Sequence, residues 1–211
     1  MEDVVIDPPC AIGLVTSAIE AYNRETNGFL IGADRARKIR RRPREVAVLK
    51  AAYPIQTAVR KVNWVANGNG RAFERARRSV ENAYAGLDLI GGYHSHTGKD
   101  AYASLSALDL DYIEDEFQAF NRGRSEGVRD RWLEVVLAIR RRKYVRPQET
   151  GWTLRRYPRK LGAKVVLRPN LGYDITIGGY WIWGEQHGRP GSFKVSDKEE
   201  ARLHAPRFSP P

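Results

Sequence analysis

Two of the four histidines in this chain, His94 and His96, stand one residue apart at the end of the apolar run Leu89-Ile90-Gly91-Gly92-Tyr93. On a β-strand, side chains i and i+2 share a face, so the pair aims two imidazoles at one point in space. That is half of a zinc site. A carboxylate follows. After the polar stretch Thr97–Leu105 comes Ser106-Ala107-Leu108-Asp109, the opening of a helix, with Asp109 in its first turn. A helix packed against the strand end brings that carboxylate towards the imidazoles. Two histidines and one aspartate leave one tetrahedral position open, the arrangement of a catalytic zinc. Asp100 and Asp111 are the alternative third ligands.

A further acid lies upstream. Glu25, in Arg24-Glu25-Thr26-Asn27-Gly28-Phe29-Leu30-Ile31-Gly32, sits where a helix ends and an apolar strand begins. Zinc lowers the pKa of bound water to about 7, and a nearby carboxylate can take the proton and later hand it to a leaving amine. Glu25 is the candidate for that role, and Ser106 for supporting the oxygen that becomes negative. Blander readings exist for each group taken singly. His-Ser-His is often a surface pair, Ser-x-x-Asp is also a helix capping box, and Glu25 by itself is a helix-terminal carboxylate.

The elements that must position these groups alternate. Ile12–Asn23 reads as a helix with Ile12, Val15, Ile19 and Tyr22 on one side. Gly28–Gly32 reads as a short buried strand, Arg35–Arg44 as a basic turn centred on Arg40-Arg41-Arg42, and Glu45–Ile55 and Lys61–Ala66 as strands. The turn Asn67-Gly68-Asn69-Gly70 leads to a helix over Arg71–Ala85 with Phe73, Ala76, Val80 and Tyr84 inward. Leu87–Tyr93 is the strand that delivers the histidines. Ser106–Asn121 is a helix with Leu105, Leu108, Tyr112, Ile113, Phe117 and Phe120 on its apolar stripe, and Trp132–Arg140 is a long strand. Trp152–Tyr157, Ala163–Leu167 and Tyr173–Trp183 read as further strands. The aromatic run Gly178–Trp183 closes the core or offers a platform to a partner's tail. His187, in a Gly/Pro loop, reads as a surface residue, and His204–Pro211 as a loose tail.

In this order the residues resemble the JAMM (MPN+) metalloprotease family, which includes the deubiquitinases of the proteasome lid and archaeal and bacterial relatives. Glu25-Thr26-Asn27-Gly28-Phe29-Leu30-Ile31-Gly32 is similar to the family's E-x-x-G-x-L-x-G, His94-Ser95-His96 to its H-[ST]-H, and Ser106-Ala107-Leu108-Asp109 to its S-x-x-D. Thr97 stands where the family usually has Pro. The spacer from His96 to Ser106 is nine residues, where the family usually has about seven; at that usual spacing Ser104 would be the serine, but Ala107 would fall at the aspartate position. Surface loops take such insertions at small entropic cost. The resemblance, over about residues 10 to 145, implies an α/β (α+β) MPN/JAMM (cytidine-deaminase-like) fold, a central mixed sheet flanked by helices. It implies zinc held by His94, His96 and Asp109, Glu25 as general acid/base, and Ser106 at the oxyanion. The expected organisation is a catalytic domain over 1–145, a β-rich C-terminal extension over 146–203 packed on it, and a flexible tail over 204–211.

Composition agrees with a single domain carrying appendages. Of 211 residues, 42% are hydrophobic, enough for a core. Cys10 is the single cysteine, so no internal disulfide forms, as expected of a cytoplasmic protein. Acids near Met1 do not suit a signal peptide, and the apolar stretch near Leu133–Ile139 is below the ~20 residues that span a bilayer, so no membrane partner is expected. The net charge of +11 comes with basic clusters at Arg35–Arg44, Arg71–Arg78, Arg140–Lys143 and Arg155–Lys160. Such clusters attract acidic proteins or nucleic acid, although no nucleic-acid motif accompanies them. Three functions follow. The first is a zinc peptidase or isopeptidase acting on a ubiquitin-like protein or peptide, as the resemblance implies. The others are a non-catalytic scaffold that docks partners and a basic nucleic-acid-associated protein. Whether Thr97–Leu105 covers the site until substrate arrives is open at this level.

Overall fold

The computed structural model describes residues 3–39, 42–56, 59–61, 65–66, 69–83, 86–121, 130–186 and 193–205. In chain order the elements are β1 (Asp3–Ile6), α1 (Pro8–Glu20), β2 (Asn27–Ile39), β3 (Arg42–Pro54), β4 (Val59–Arg60), β5 (Val65–Ala66), α2 (Gly70–Ala83), β6 (Asp88–Thr97), α3 (Ala107–Asn121), β7 (Arg131–Lys143), β8 (Gly151–Arg156), β9 (Leu161–Arg168), β10 (Leu171–Gln186), β11 (Phe193–Glu200) and β12 (Arg202–His204). One ten-stranded mixed sheet runs β12-β1-β3-β2-β6-β7-β10-β9-β8, with β11 pairing the far half of β10. The strands after residue 146 therefore continue the sheet that carries the histidines.

Strand β7 shows why the centre of the sheet is covered on both sides. Its run Trp132–Ala138 is apolar at odd and even positions except for Glu134, the pattern of a strand with two buried faces. Leu133, Val135, Leu137 and Ile139 join a core cluster with Leu14, Val15 and Ala18 of α1. Trp132 faces the other way, against Phe117 and Phe120 of α3. Parallel strands need a crossover connection, and α3 provides it between β6 and β7. That crossover brings the start of α3 close to the end of β6.

Several elements depart from the sequence reading. Helix α1 begins at Pro8, earlier than its apolar period suggests, because Asp7 takes the extended N-cap position and prolines fill the first turn. Its buried face is Cys10, Leu14, Val15 and Ala18, and Ile12 is 45% exposed. The expected basic turn over Arg35–Arg44 is instead a long ribbon. β2 and β3 pair antiparallel out to Ile39↔Arg42; Arg40 and Arg41 lie outside the described residues. The short strand over Gly28–Gly32 is the inner part of that ribbon, where tertiary pairing overrides a charged sequence. Of the expected strand Lys61–Ala66, Val65–Ala66 is β5, which pairs antiparallel with β4, while residues 62–64 lie outside the described residues. Leu108 is 76% exposed, at the site-facing start of α3 rather than on its buried stripe. β1, β11 and β12 are short or charged and lack a period-two signal. Of the tail expected over 204–211, His204 instead ends β12 and Ala205 is buried; Asn67, Gly68, Tyr84, His187 and residues 206–211 fall outside the described residues. Among the described residues, no helix is long and apolar enough to cross a membrane.

Candidate metal centre

Strand β6 places Tyr93 and Ser95 on the α1 side of the sheet and His94 and His96 on the α3 side. Nε2 of His94 lies 3.5 Å from Asp109 Oδ1, and Nε2 of His96 lies 3.5 Å from Asp109 Oδ2. Those separations are too long for good hydrogen bonds and leave room for a cation between the three groups. One ligand atom from each residue lies within 4.8 Å of the others. The donor set of two imidazoles and a carboxylate is that of an open zinc site. His94 Nε2 is buried without a hydrogen-bond partner, which supports the fit, since buried polar atoms are otherwise paired. The expected ligands thus come together. The alternatives Asp100 and Asp111 line the same cleft, of about 840 Å³, but stand outside the group.

The serine between the histidines has its own task. On the opposite face, the Thr26 N–H donates to Ser95 Oγ at 3.0 Å, and the Ser95 N–H donates to the Thr26 carbonyl at 2.8 Å. Ser17 on α1 adds a hydroxyl contact to Thr26 (3.3 Å) and accepts from Tyr93 Oη (2.9 Å). The segment carrying Glu25 is thereby clamped to the strand carrying the histidines. The Glu25 N–H also donates to the Lys61 carbonyl at 2.8 Å, beside the β4–β5 pair. Glu25 is buried and lines the cleft with His94, His96 and Asp109.

Ser106 and Asp109 form a capping box, and the same Asp109 carboxylate faces the two imidazoles. The Ser106 N–H donates to Asp109 Oδ2 at 2.6 Å, and the Asp109 N–H donates to Ser106 Oγ at 3.2 Å. The two readings of Ser-x-x-Asp are therefore one structure: the cap fixes the carboxylate that faces the imidazoles. Ser106 keeps its hydroxyl proton for donation and lines the cleft.

The outer faces of both imidazoles are also held. His94 Nδ1 lies 2.7 Å from Glu134 Oε1, and His96 Nδ1 lies 2.8 Å from the Tyr102 carbonyl. Each partner accepts, so each imidazole holds a proton on Nδ1 and turns Nε2 towards the centre, the atom that a cation would take once any proton on it has left. The loop supplying that carbonyl is fastened by neighbours. Arg140 Nη2 donates to the Ala101 carbonyl at 2.9 Å and Tyr180 Oη to the Ala103 carbonyl at 2.8 Å. The second half of Thr97–Leu105 is thus tied to β7 and β10 and forms one wall of the cleft.

Electrostatics follow from this geometry. Burial opposes a charge on His94, and the carboxylates of Asp109 and Glu134 overcome it, pushing it up to about 10 in the metal-free protein. Burial opposes His96 in the same way, and Asp109 again prevails and raises it. Burial works against ionised Asp109, yet the two imidazoles hold its carboxyl well below the usual carboxylate range. Burial raises the Glu25 carboxyl, more than the histidines lower it. A carboxyl raised in this way holds a proton more readily than a free one, which suits a group that takes and returns one.

Glu134, the Tyr102 carbonyl and Tyr180 were not found by reading the sequence. Glu134 had a signal: a lone carboxylate inside an otherwise apolar buried strand must have a partner. A backbone carbonyl has none. Tyr180 lay in the aromatic run Gly178–Trp183, of which Trp181 and Ile182 do close the core.

A family described as prokaryotic homologs of the JAB domain has a model that matches residues 9–151. The solution structure of protein DSY2949 from Desulfitobacterium hafniense is similar at 11% identity and a TM-score of 0.43, over 96% of this chain and 92% of that one. No curated protein matches the chain.

Proposed function

The chain belongs to the prokaryotic homologs of the JAB domain, and from that premise we propose that it is a zinc-dependent peptidase or isopeptidase that hydrolyses the C-terminal linkage of a ubiquitin-like modifier. The observation that carries the reading is the convergence of His94, His96 and Asp109 within 4.8 Å, with Glu25 in the same cleft. Zinc in such a site acts as a Lewis acid and activates water. The chain's own groups do the rest. His94 and His96 would offer Nε2 to the metal, giving up any proton there, because Glu134 and the Tyr102 carbonyl hold their Nδ1 protons. Glu25, its carboxyl raised by burial, takes a proton from the attacking water and returns it to the departing amine. Ser106, with a hydroxyl proton to donate, supports the developing oxyanion. An extended tail lying along the cleft as an added strand is the binding mode. We read the architecture as the cytidine-deaminase-like form of the mixed sheet, supported by the parallel β6–β7 pair joined through α3, and residues 146–203 as an extension completing it.

The test is incubation with fusions ending in a Gly-Gly tail, with and without chelator. Cleavage should require zinc. Glu25→Gln should lower the rate by roughly 10²–10⁴-fold, the usual worth of a general acid/base, while zinc stays bound. Full activity in the zinc-loaded Glu25→Gln variant would sink the mechanism.

A further inference from the structure

We propose that Glu134 is a positioning residue of this centre: its carboxylate, braced by Trp132 and given space by Gly92, sets the tautomer and orientation of His94 and so its readiness to bind metal. The inference rests on the zinc reading above. Three observations carry it. Glu134 is 2% exposed, in the middle of a strand with two covered faces. It accepts from two donors on different oxygens, His94 Nδ1 at 2.7 Å on Oε1 and Trp132 Nε1 at 2.8 Å on Oε2. Gly92 is its register partner on β6, and a Cβ there would meet Glu134 Oε2 at 2.9 Å and the Trp132 ring at 3.0 Å.

The chemistry demands a carboxylate. Indole N–H is only a donor, and His94 presents Nδ1–H when Nε2 faces the centre. An amide offers one acceptor oxygen and one NH2, so glutamine must set donor against donor on one side. The two histidines are also supported unequally, since His96 leans on a neutral carbonyl at 2.8 Å. A charged acceptor raises ligand basicity further, so His94 is the stronger ligand of the pair.

The experiment measures zinc affinity of the full chain by competition with a chromogenic chelator, alongside thermal unfolding and ¹⁵N spectra of the imidazoles. Glu134→Gln should lose about 10- to 100-fold in zinc affinity, as other outer partners of metal-bound histidines do. Trp132→Phe alone should stay close to wild type. The double variant Trp132→Phe/Glu134→Gln should recover much of the loss, because the glutamine oxygen can then turn to Nδ1–H with no indole N–H opposing its NH2. The spectra should show His94 bound through Nε2 with a proton on Nδ1. If Glu134→Gln does not fold, Trp132→Phe/Glu134→Leu, which leaves the Nδ1–H of His94 without an acceptor, is compared with Trp132→Phe and should show the same loss of about 10- to 100-fold. Wild-type zinc affinity in every folded Glu134 variant overturns the proposal, as does His94 bound through Nδ1. Absence of zinc binding by the wild type overturns instead the zinc reading on which it rests.

Discussion

Gly91→Ala is the sharpest test of how β6 is delivered to the site. Gly91 pairs with Leu133 on β7 and with Leu30 on β2, so both flanks of the strand are occupied by backbone. A methyl built there would sit against the Leu133 carbonyl oxygen, with the carbonyl carbon at 2.7 Å and the nitrogen at 2.9 Å, where ordinary contact begins at 3.4 Å. The shortfall at the carbon is about 0.7 Å, and backbone cannot swing aside as a side chain does. The strand pair must part. Overpacking of this kind costs about 1–3 kcal/mol, and each stretched ladder hydrogen bond about 1 kcal/mol more. A loss of roughly 2–4 kcal/mol follows, a large part of the ~5–15 kcal/mol of a typical domain. Urea unfolding of the chelated protein, with a slope of about 2 kcal/mol/M, should show the midpoint lower by roughly 1–2 M. Gly70→Ala is the control: a methyl there meets nothing within 4 Å, at the start of α2, and should stay within about 1 kcal/mol of the parent. Zinc affinity should fall in Gly91→Ala alone, because His94 rides three residues further along the displaced strand. Equal midpoints for the two variants would refute the close approach and, with it, the account of why this strand is glycine-rich.

Other outcomes follow from the same geometry. In the metal-free protein His94 is pushed up to about 10 from 6.5, so the folded form keeps a proton that the unfolded chain releases. The stability tied to that proton is complete below about 6.5 and is lost as pH rises through about 10; urea midpoints of chelated protein should drop over that window, and saturating zinc should flatten the trend. Zinc binding near neutral pH should release protons, measured by calorimetry in buffers of different ionisation enthalpy; heats that do not depend on the buffer would contradict the arrangement. Tyr180→Phe removes the 2.8 Å hydrogen bond to the Ala103 carbonyl and should cost about 1 kcal/mol, with faster amide exchange over residues 101–104 and little change elsewhere.

The site was more legible than the frame around it, for physical reasons. Metal chemistry restricts residue types and spacing tightly, so His94, His96, Asp109 and Glu25 stood out as letters. The period-two rule placed both histidines on one face, as β6 does, with both Nε2 atoms 3.5 Å from Asp109. The capping box and the ligand both used Asp109, so two local rules agreed on one residue. What stayed hidden was set by distant partners. β2 extends through charged Arg35 and Arg37 only because β3 lies beside it. β12 is three residues long and is a strand through its pairing with β1. Helix α1 slid because prolines define its start more strongly than apolar spacing does. Glu134 was visible as an anomaly, but its partner is forty residues away in sequence, and one chain read alone does not name it.

The wall behind His96 leans on Gly178 and Tyr180, and both lie past residue 151, where the family match ends. A Cβ on Gly178 would meet the Ala103 carbonyl oxygen at 2.6 Å, so loop and strand are cut to one another's shape. The smallest transplantable unit is therefore larger than the matched segment. Grafting residues 9–151 onto another scaffold would carry all four reactive groups and leave behind the masonry that keeps one of them upright.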